Sequence, residues 1–247
     1  MTGLAAAGVR LRVVGSTGST NADLLAAISA GEQPVEGEWL LADRQTAGRG
    51  RHGREWHDGF GNFMGSTAIR LRHGDPPPAS LSLVAGLALH EAATPHLPAR
   101  KVMLKWPNDL LVGEAKLAGI LLERTGDWIV VGIGVNLAAA PELHDRRTVA
   151  LSAFGPSPDR DLFATNLAGH MAQEVQRWRG YGLEPVIRRW LAAAHPVGTP
   201  LNVRLPGEAL LTGQFAGLND DGALRVALPD GEIRAIAAGE VMLAEGG

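Results

Sequence analysis

Strand-like and helix-like stretches interleave along residues 9–194, and a chain patterned in that way has to lay helices against a mixed sheet. Val9, Leu11 and Val13 alternate with Arg10 and Arg12, the two-residue period of a half-buried strand. Leu24, Leu25 and Ile28 follow at helical spacing, with Ser19, Thr20 or Asn21 placed to cap that helix and Gly31 to close it. Residues 39–42 and 63–71 read as strands on either side of a long loop, 43–61. Ser80 is expected to cap a helix carrying Leu81, Val84, Leu87 and Ala88. Residues 102–106 form a strand stopped at Pro107, and 109–112 with 116–123 read as a hairpin across Gly113 and Glu114. A strongly apolar strand, 128–135, ends at Asn136. Two helices come next, one on Phe163, Leu167, Met171 and Trp178, the other on Val186, Trp190 and Ala193 with Pro185 near its start.

From Pro196 the texture changes. Leu201, Val203 and Leu205 alternate, and turns at Pro206-Gly207, 219–222 and Asp230-Gly231 separate about five short strands, the pattern of a small barrel. The boundary is expected near His195, giving units 1–195 and 196–247.

The chain's 247 residues suit one sizeable domain plus a small appendage. No apolar run is long enough to span a bilayer, and no basic segment precedes an apolar core at the start, so a cytoplasmic protein is expected. The absence of cysteine excludes a disulfide framework, a thiolate metal site and a cysteine nucleophile. A net charge of −3 argues against a general nucleic-acid surface.

Against that acidic balance, Arg44, Arg49, Arg51 and Arg54 crowd into one glycine-rich stretch. Residues 48–53 satisfy the glycine spacing of a dinucleotide fingerprint, but the fingerprint requires an apolar helix directly after the glycines, and Arg54-Glu55-Trp56-His57-Asp58-Gly59 has no helical period. Arginine offers a planar fork of donors suited to phosphate and carboxylate, and glycine lets backbone come close to such oxygens. The stretch therefore reads as a mobile cationic loop that orders over an anion. A solvated surface turn is the plainer alternative; nucleic-acid binding is disfavoured, since no companion basic stripe or stacking platform stands out.

Lys105-Trp106-Pro107-Asn108-Asp109 brings a cation, an amide, a carboxylate and an aromatic to one strand end. Lys116 leads the otherwise apolar run 117–121; burying it is costly unless it meets an anion, although its stem can also snorkel to water. Trp106 fits a core position, Asn108 and Asp109 a turn. Gly119 marks either a close approach or a bulge. Asn136, after Gly132 and Gly134, either reads a nucleotide edge or ends its strand.

In this order, Ser19-Thr20-Asn21, Gln45-Thr46-Ala47-Gly48-Arg49-Gly50-Arg51, Lys105-Trp106-Pro107-Asn108-Asp109, Lys116-Leu117-Ala118-Gly119-Ile120 and Gly132-Ile133-Gly134-Val135-Asn136 resemble the biotin–protein ligase family. The resemblance runs from about residue 10 to the C-terminus. It implies a catalytic domain related to class II aminoacyl-tRNA synthetases and lipoate ligases, followed by an SH3-like barrel. It also implies formation of biotinyl-5′-adenylate from biotin and ATP with Mg²⁺, and transfer of the biotinyl group to a lysine of a biotin carboxyl carrier domain.

By the same resemblance, Ser19, Thr20, Asn21 and Gln45 would hold the ureido ring of biotin, with Gly48, Arg49, Arg51, Lys116 and Gly119 completing the biotin site. Arg51, Arg54, Trp56, Lys105, Asn108 and Asn136 would contact ATP or the adenylate, Trp56 on the adenine side. Arg51 and Lys116 are the expected catalytic cations at the junction of carboxylate and phosphate, and Asp109 is expected to orient or deprotonate the incoming lysine. Ligands for Mg²⁺ are not assigned. His52 stands where the family often has another basic residue. About eight residues precede the first expected strand, so a helix-turn-helix unit and DNA binding are not expected; monomer and homodimer are both open. A lipoate ligase or octanoyl transferase, a biotin sensor and a DNA-binding regulator are the rival readings.

Overall fold

The strand at 128–135 has no charged residue over its length, as a strand covered on both faces requires, and it lies inside an eight-stranded sheet. The computed structural model describes residues 3–6, 9–97, 102–205, 207 and 209–243. The sheet contains β1 (Gly3–Ala6), β2 (Val9–Val14), β3 (Trp39–Ala42), β4 (Phe63–Arg70), β5 (Val102–Lys105), β6 (Asp109–Val112), β7 (Ala115–Thr125) and β8 (Trp128–Val135). Its order is β1-β2-β3-β4-β8-β7-β6-β5; β2 and β3 run parallel, and the other described neighbours antiparallel. β1 is an addition to the strands read from sequence: Gly3–Ala6 is too short to show a period, and it forms by pairing along β2.

Among the described residues four α-helices cover the sheet: α1 (Thr20–Ser29), α2 (Leu81–Ala93), α3 (Arg160–Tyr181) and α4 (Glu184–Ala193). Leu24 of α1 packs with Leu40 and Val130 in a small cluster, backed by Leu25 and Ile28. The main core joins α2, α3 and α4 to residues such as Leu41, Ile120, Val131 and Ile133. Alternate residues of β8 therefore serve two layers, with α1 on one face and the remaining helices on the other. Ser19 caps α1, its hydroxyl accepting from the Ala22 amide, and Gly31 takes the left-handed turn that ends it (φ 92°). Ser80 precedes α2 but does not cap it. Its backbone is already helical, and its hydroxyl instead donates to Pro77 O and accepts from the Trp178 indole.

The remaining strands form a five-stranded antiparallel sheet: β9 (Pro200–Arg204), β10 (Leu211–Leu218), β11 (Leu224–Ala227), β12 (Ile233–Ile236) and β13 (Glu240–Leu243). Their order, β12-β11-β10-β9-β13, returns the last strand beside the first, which fits a small SH3-like unit. Of the turn read at Pro206-Gly207, Pro206 lies outside the described residues. The second sheet is not loosely tethered: Leu201, Val203, Leu224 and Val241 belong to the same core as Trp106 and Trp190, and the Trp106 indole donates to Gly222 O at 3.1 Å. Trp106 is thus a core residue. Among the described residues, no helix is long and apolar enough to cross a membrane.

Candidate active site

A bulge in β7 decides where its lysine points. Across the β6–β7 pair, Leu110 faces Ala118 but Leu111 faces Lys116, leaving Leu117 as the extra residue. Leu117 and Ala118 both turn into the core, so Lys116 joins Gly119 on the opposite face instead of alternating away from it. That face opens into a cleft of about 750 Å³ lined by β4, β6, β7, β8, the glycine loop, the 139–149 segment and the edge of the small barrel.

One end of the cleft is a chain of neutral polar groups at the start of α1. The Thr20 amide donates to Gln45 Oε1 at 2.8 Å, and Thr20 Oγ1 lies 3.1 Å from the same oxygen and 2.7 Å from Ser66 Oγ. Ser66 donates to Asn21 Oδ1 at 2.6 Å, and Asn21 Nδ2 donates to Glu123 at 2.8 Å. Gly132 makes this packing possible, since a Cβ there would come within 2.3 Å of Asn21 Oδ1. Thr20, Asn21 and Gln45 thus meet through this chain, and Ser19 lines the same cleft. Ser66 and Glu123 were missed: each occupies an inward position of an apolar strand, and only the strand register reveals which face it shares.

Two residues along β8, Gly134 sits opposite Gly119. The half-buried Trp56 indole lies on this pair of glycines, its Nε1 out of contact with solvent and unpartnered; a Cβ on Gly134 would stand 2.2 Å from Trp56 Cε2. Gly48 supports Trp56 from behind without lining the cleft, because a Cβ there would meet Trp56 O at 2.6 Å.

The other end is charged. Asp109 Oδ1 accepts from Lys116 Nζ at 2.6 Å and Oδ2 from Lys105 Nζ at 3.0 Å. Burial alone would push the Asp109 carboxyl up; the two ammonium groups outweigh it and hold it well below the usual carboxylate range. Asp109 is therefore an acceptor that positions lysines, poorly suited to taking a proton. Lys105 also donates to Val241 O of β13 at 2.9 Å, and Lys116 lies 5.9 Å from the centroid of the Trp56 ring. Asn108 donates to Ile120 O at 2.7 Å and accepts from Arg51 Nη1 at 3.4 Å. Asn136 lines the cleft and donates to Val149 O at 3.2 Å, so it both ends β8 and anchors the 139–149 segment.

The glycine loop is folded as a tiny ribbon. Arg49 bridges Glu55, Gly50 N donates to Arg54 O at 2.7 Å, and the tip turns through left-handed His52 and Gly53 (φ 57° and 73°). Arg49, Arg51 and Arg54 all line the cleft, and Arg54 pairs with Glu240 of β13. Arg146, Arg204 and Glu240, which also line it, carry no motif in the sequence and were not anticipated.

Family-level comparison agrees with this geometry. Residues 16–137 match the biotin/lipoate A/B protein ligase family and residues 198–243 the biotin protein ligase C-terminal domain. A biotin–[acetyl-CoA-carboxylase] ligase of Paracoccus denitrificans is 39% identical, over 91% of this chain and 97% of its own. Its counterpart in Mycobacterium tuberculosis is 36% identical, over 94% and 88%. The biotin protein ligase of Aquifex aeolicus, solved in complex with biotin and ATP, superposes with a TM-score of 0.83 at 27% identity, covering 96% of this chain and 99% of that one. With relatives this similar along nearly their whole length, the chain belongs to the biotin–[acetyl-CoA-carboxylase] ligase family.

Proposed function

We propose that this chain activates biotin with ATP and passes it to a lysine of a biotin carboxyl carrier domain. One observation carries the residue-level reading: the cleft runs from a neutral polar end, past a floor of two facing glycines, to a cluster of cations. A cyclic urea suits the polar end, where Thr20, Gln45, Ser66 and Asn21 supply both donors and acceptors. A thin apolar body suits Gly119 and Gly134 once Trp56 moves aside. The carboxylate of such a molecule would then reach Lys116 and Arg51.

In the first step a biotin carboxylate oxygen attacks the α-phosphorus of ATP, and the bond to the β-phosphate breaks, releasing pyrophosphate. Both reactants are anions, so the step requires cations between them, which Lys116 and Arg51 supply. In the second, the acceptor ε-amine attacks the acyl carbon, AMP leaves, and the amine proton passes to solvent or to the departing phosphate. Asp109 serves both by fixing Lys116 and Lys105. Among the described residues no group of three or more His, Asp or Glu is placed to hold a metal ion, so these side chains do not fit a resident site; Mg²⁺ belongs to the nucleotide as the Mg–ATP substrate.

The experiment mixes the purified chain with biotin, Mg²⁺ and α-labelled ATP, with and without a carrier domain. Labelled biotinyl-adenylate that is consumed on adding carrier supports the proposal. Adenylate with lipoate or octanoate but not biotin overturns the substrate, and no turnover of any acid overturns the activity.

A further inference from the structure

Glu123 of β7 stands behind the polar end of the cleft and not in it. It lies opposite Val130 of β8, so the two share one face, and Val130 packs there with Leu24 of α1 and Leu40 of β3. Thr20, Asn21, Gln45 and Ser66 line the cleft, whereas Glu123 does not. Among the described residues no salt bridge ties Glu123 to a cation; its carboxylate accepts from Asn21 Nδ2 at 2.8 Å. A half-buried carboxylate spent on one neutral amide calls for a reason, and the reason lies in what that amide touches next.

A carboxylate only accepts, so the nitrogen of the Asn21 amide has to face Glu123 and its oxygen has to face Ser66. From there the direction of each contact follows, because a hydroxyl owns one proton. Ser66 gives its proton to Asn21 Oδ1 at 2.6 Å. The 2.7 Å contact between Ser66 Oγ and Thr20 Oγ1 must then carry the Thr20 proton, which settles a sense that distance alone leaves open. Thr20 has no second proton, so its longer 3.1 Å approach to Gln45 Oε1 sets one oxygen beside another. Gln45 Oε1 is fixed in that place by the Thr20 amide, which donates to it at 2.8 Å. Thr20 and Gln45 therefore offer the cleft two oxygens that accept and do not donate, with Gln45 Nε2 as the donor beside them.

We propose that Glu123 is a positioning residue that sets the proton direction of this chain, and so makes the wall at Thr20 and Gln45 selective for N–H groups of the ligand. It acts through Asn21 and Ser66 without touching the ligand. On the biotin reading above, on which the choice of ligand rests, the groups selected are ring N–H groups of the cyclic urea. A ring oxygen in their place would set lone pair against lone pair. A donor at position 123 would turn the Asn21 amide over. Its nitrogen would then donate to Ser66, Ser66 to Thr20, and Thr20 to Gln45, reversing each hydroxyl in the chain without removing one.

Calorimetry on the purified chain, without ATP, compares biotin with its two carbamate counterparts, in which one ring N–H or the other is replaced by oxygen. The parent is expected to prefer biotin by about a hundredfold over at least one of them. Glu123→Gln keeps an oxygen able to accept from Asn21, and is expected to hold both that ratio and the biotin affinity within about threefold. Glu123→Lys offers donors only; it is expected to weaken biotin about tenfold and to compress the ratio about tenfold. Glu123→Met leaves the amide free to take either sense and is expected to fall between the two. A merely structural role would weaken biotin and carbamate together and leave the ratio unmoved. ATP binding is expected to stay as in the parent, and in steady state the KM for biotin should rise in Glu123→Lys with kcat little changed. Thermal melts of each variant identify a folding defect, and if Glu123→Lys does not fold, the ratio in Glu123→Met decides. The parent's ratio in Glu123→Lys or Glu123→Met, or a ratio lost in Glu123→Gln as fully as in Glu123→Lys, overturns the proposal. A ratio that depends on position 123 in a chain that makes no biotinyl-adenylate refutes the ligase reading and leaves the role of Glu123 standing. Adenylate formation with a ratio indifferent to every variant does the reverse, and a parent that binds neither compound overturns both.

Discussion

The indole of Trp56 lies so close to β8 that Gly134 has no room for a side chain: the first carbon of any other residue would stand 2.2 Å from Trp56 Cε2. The three nearest atoms to that position all belong to Trp56, so the closest conflict is with that side chain. Gly134→Ala should expel the indole, narrow the slot and raise the KM for biotin by about tenfold or more, at a stability cost of about 1–3 kcal/mol for overpacking. Thermal melts of Gly134→Ala, Trp56→Ala and the double variant check the cause. The double variant should be no less stable than Trp56→Ala alone; a full additional loss would place the conflict elsewhere.

Ser66 makes a second, subtler prediction. Its hydroxyl joins Thr20 at 2.7 Å to Asn21 at 2.6 Å, so it aligns two groups of the polar end. Ser66→Ala leaves buried Thr20 and Asn21 short of a partner, with an expected cost of about 1–3 kcal/mol. Because the loss falls on ground-state alignment, the KM for biotin should rise while kcat at saturation changes little. A fall in kcat with KM unmoved would show that Ser66 acts on the reaction step and not on biotin alignment.

How far these contacts could be read from the residues varies for physical reasons. The sheet was legible wherever a strand carries its own period, as in β2 and β8, and the small barrel was legible from its turns. β1 was not, because a run of only four residues acquires strand geometry through its neighbour. The residue types of Lys116 and Asp109 invited pairing, yet their meeting depends on the β7 bulge, which no local signal announces. Gly119 was read as a bulge or a close approach; the bulge lies at Leu117, and the close approach is by the Lys116 side chain and, next, Trp56. Ser66, Glu123, Arg146 and Glu240 were invisible for one shared reason: each is an ordinary residue placed by long-range pairing, Ser66 and Glu123 by strand register, Arg146 by the 139–149 segment pairing with Lys116, and Glu240 by docking of the second sheet.

Asp109 links the site to stability. Its carboxylate is the buried counter-charge of two lysines, so Asp109→Asn should cost about 3–5 kcal/mol by leaving buried positive charge uncompensated. The pH dependence has a definite sign. A carboxyl whose folded pKa is depressed stabilises the fold fully above its unfolded value, and that contribution is lost as pH falls from about 4 toward the lower folded value. The stability gap between parent and Asp109→Asn should therefore stay constant from neutral pH to about 5 and shrink below about 4. Urea melts at pH 7, 5 and 3.5 measure it; a gap that closes already between pH 7 and 5 would contradict the depressed carboxyl.

Arg51 governs what escapes. Its guanidinium lies 3.4 Å from Asn108 Oδ1, half-buried where the glycine loop faces the β5–β6 turn, and it is one of the cations closest to the proposed junction of carboxylate and phosphate. A biotinyl-adenylate held there is a mixed anhydride that survives only while water and stray amines are kept away. Arg51→Gly removes a charge-assisted contact to the intermediate and adds backbone freedom to a loop already turning through left-handed His52 and Gly53. The variant should therefore form adenylate more slowly but release it readily. Incubated with biotin, ATP and a bystander protein that is no carrier, it should biotinylate exposed lysines of the bystander, with yield rising with bystander concentration, whereas the parent labels the carrier alone. If Arg51→Gly instead makes adenylate at the parent's rate and leaves the bystander unlabelled, Arg51 neither drives the first step nor retains its product, and Lys116 with Arg49 must carry both.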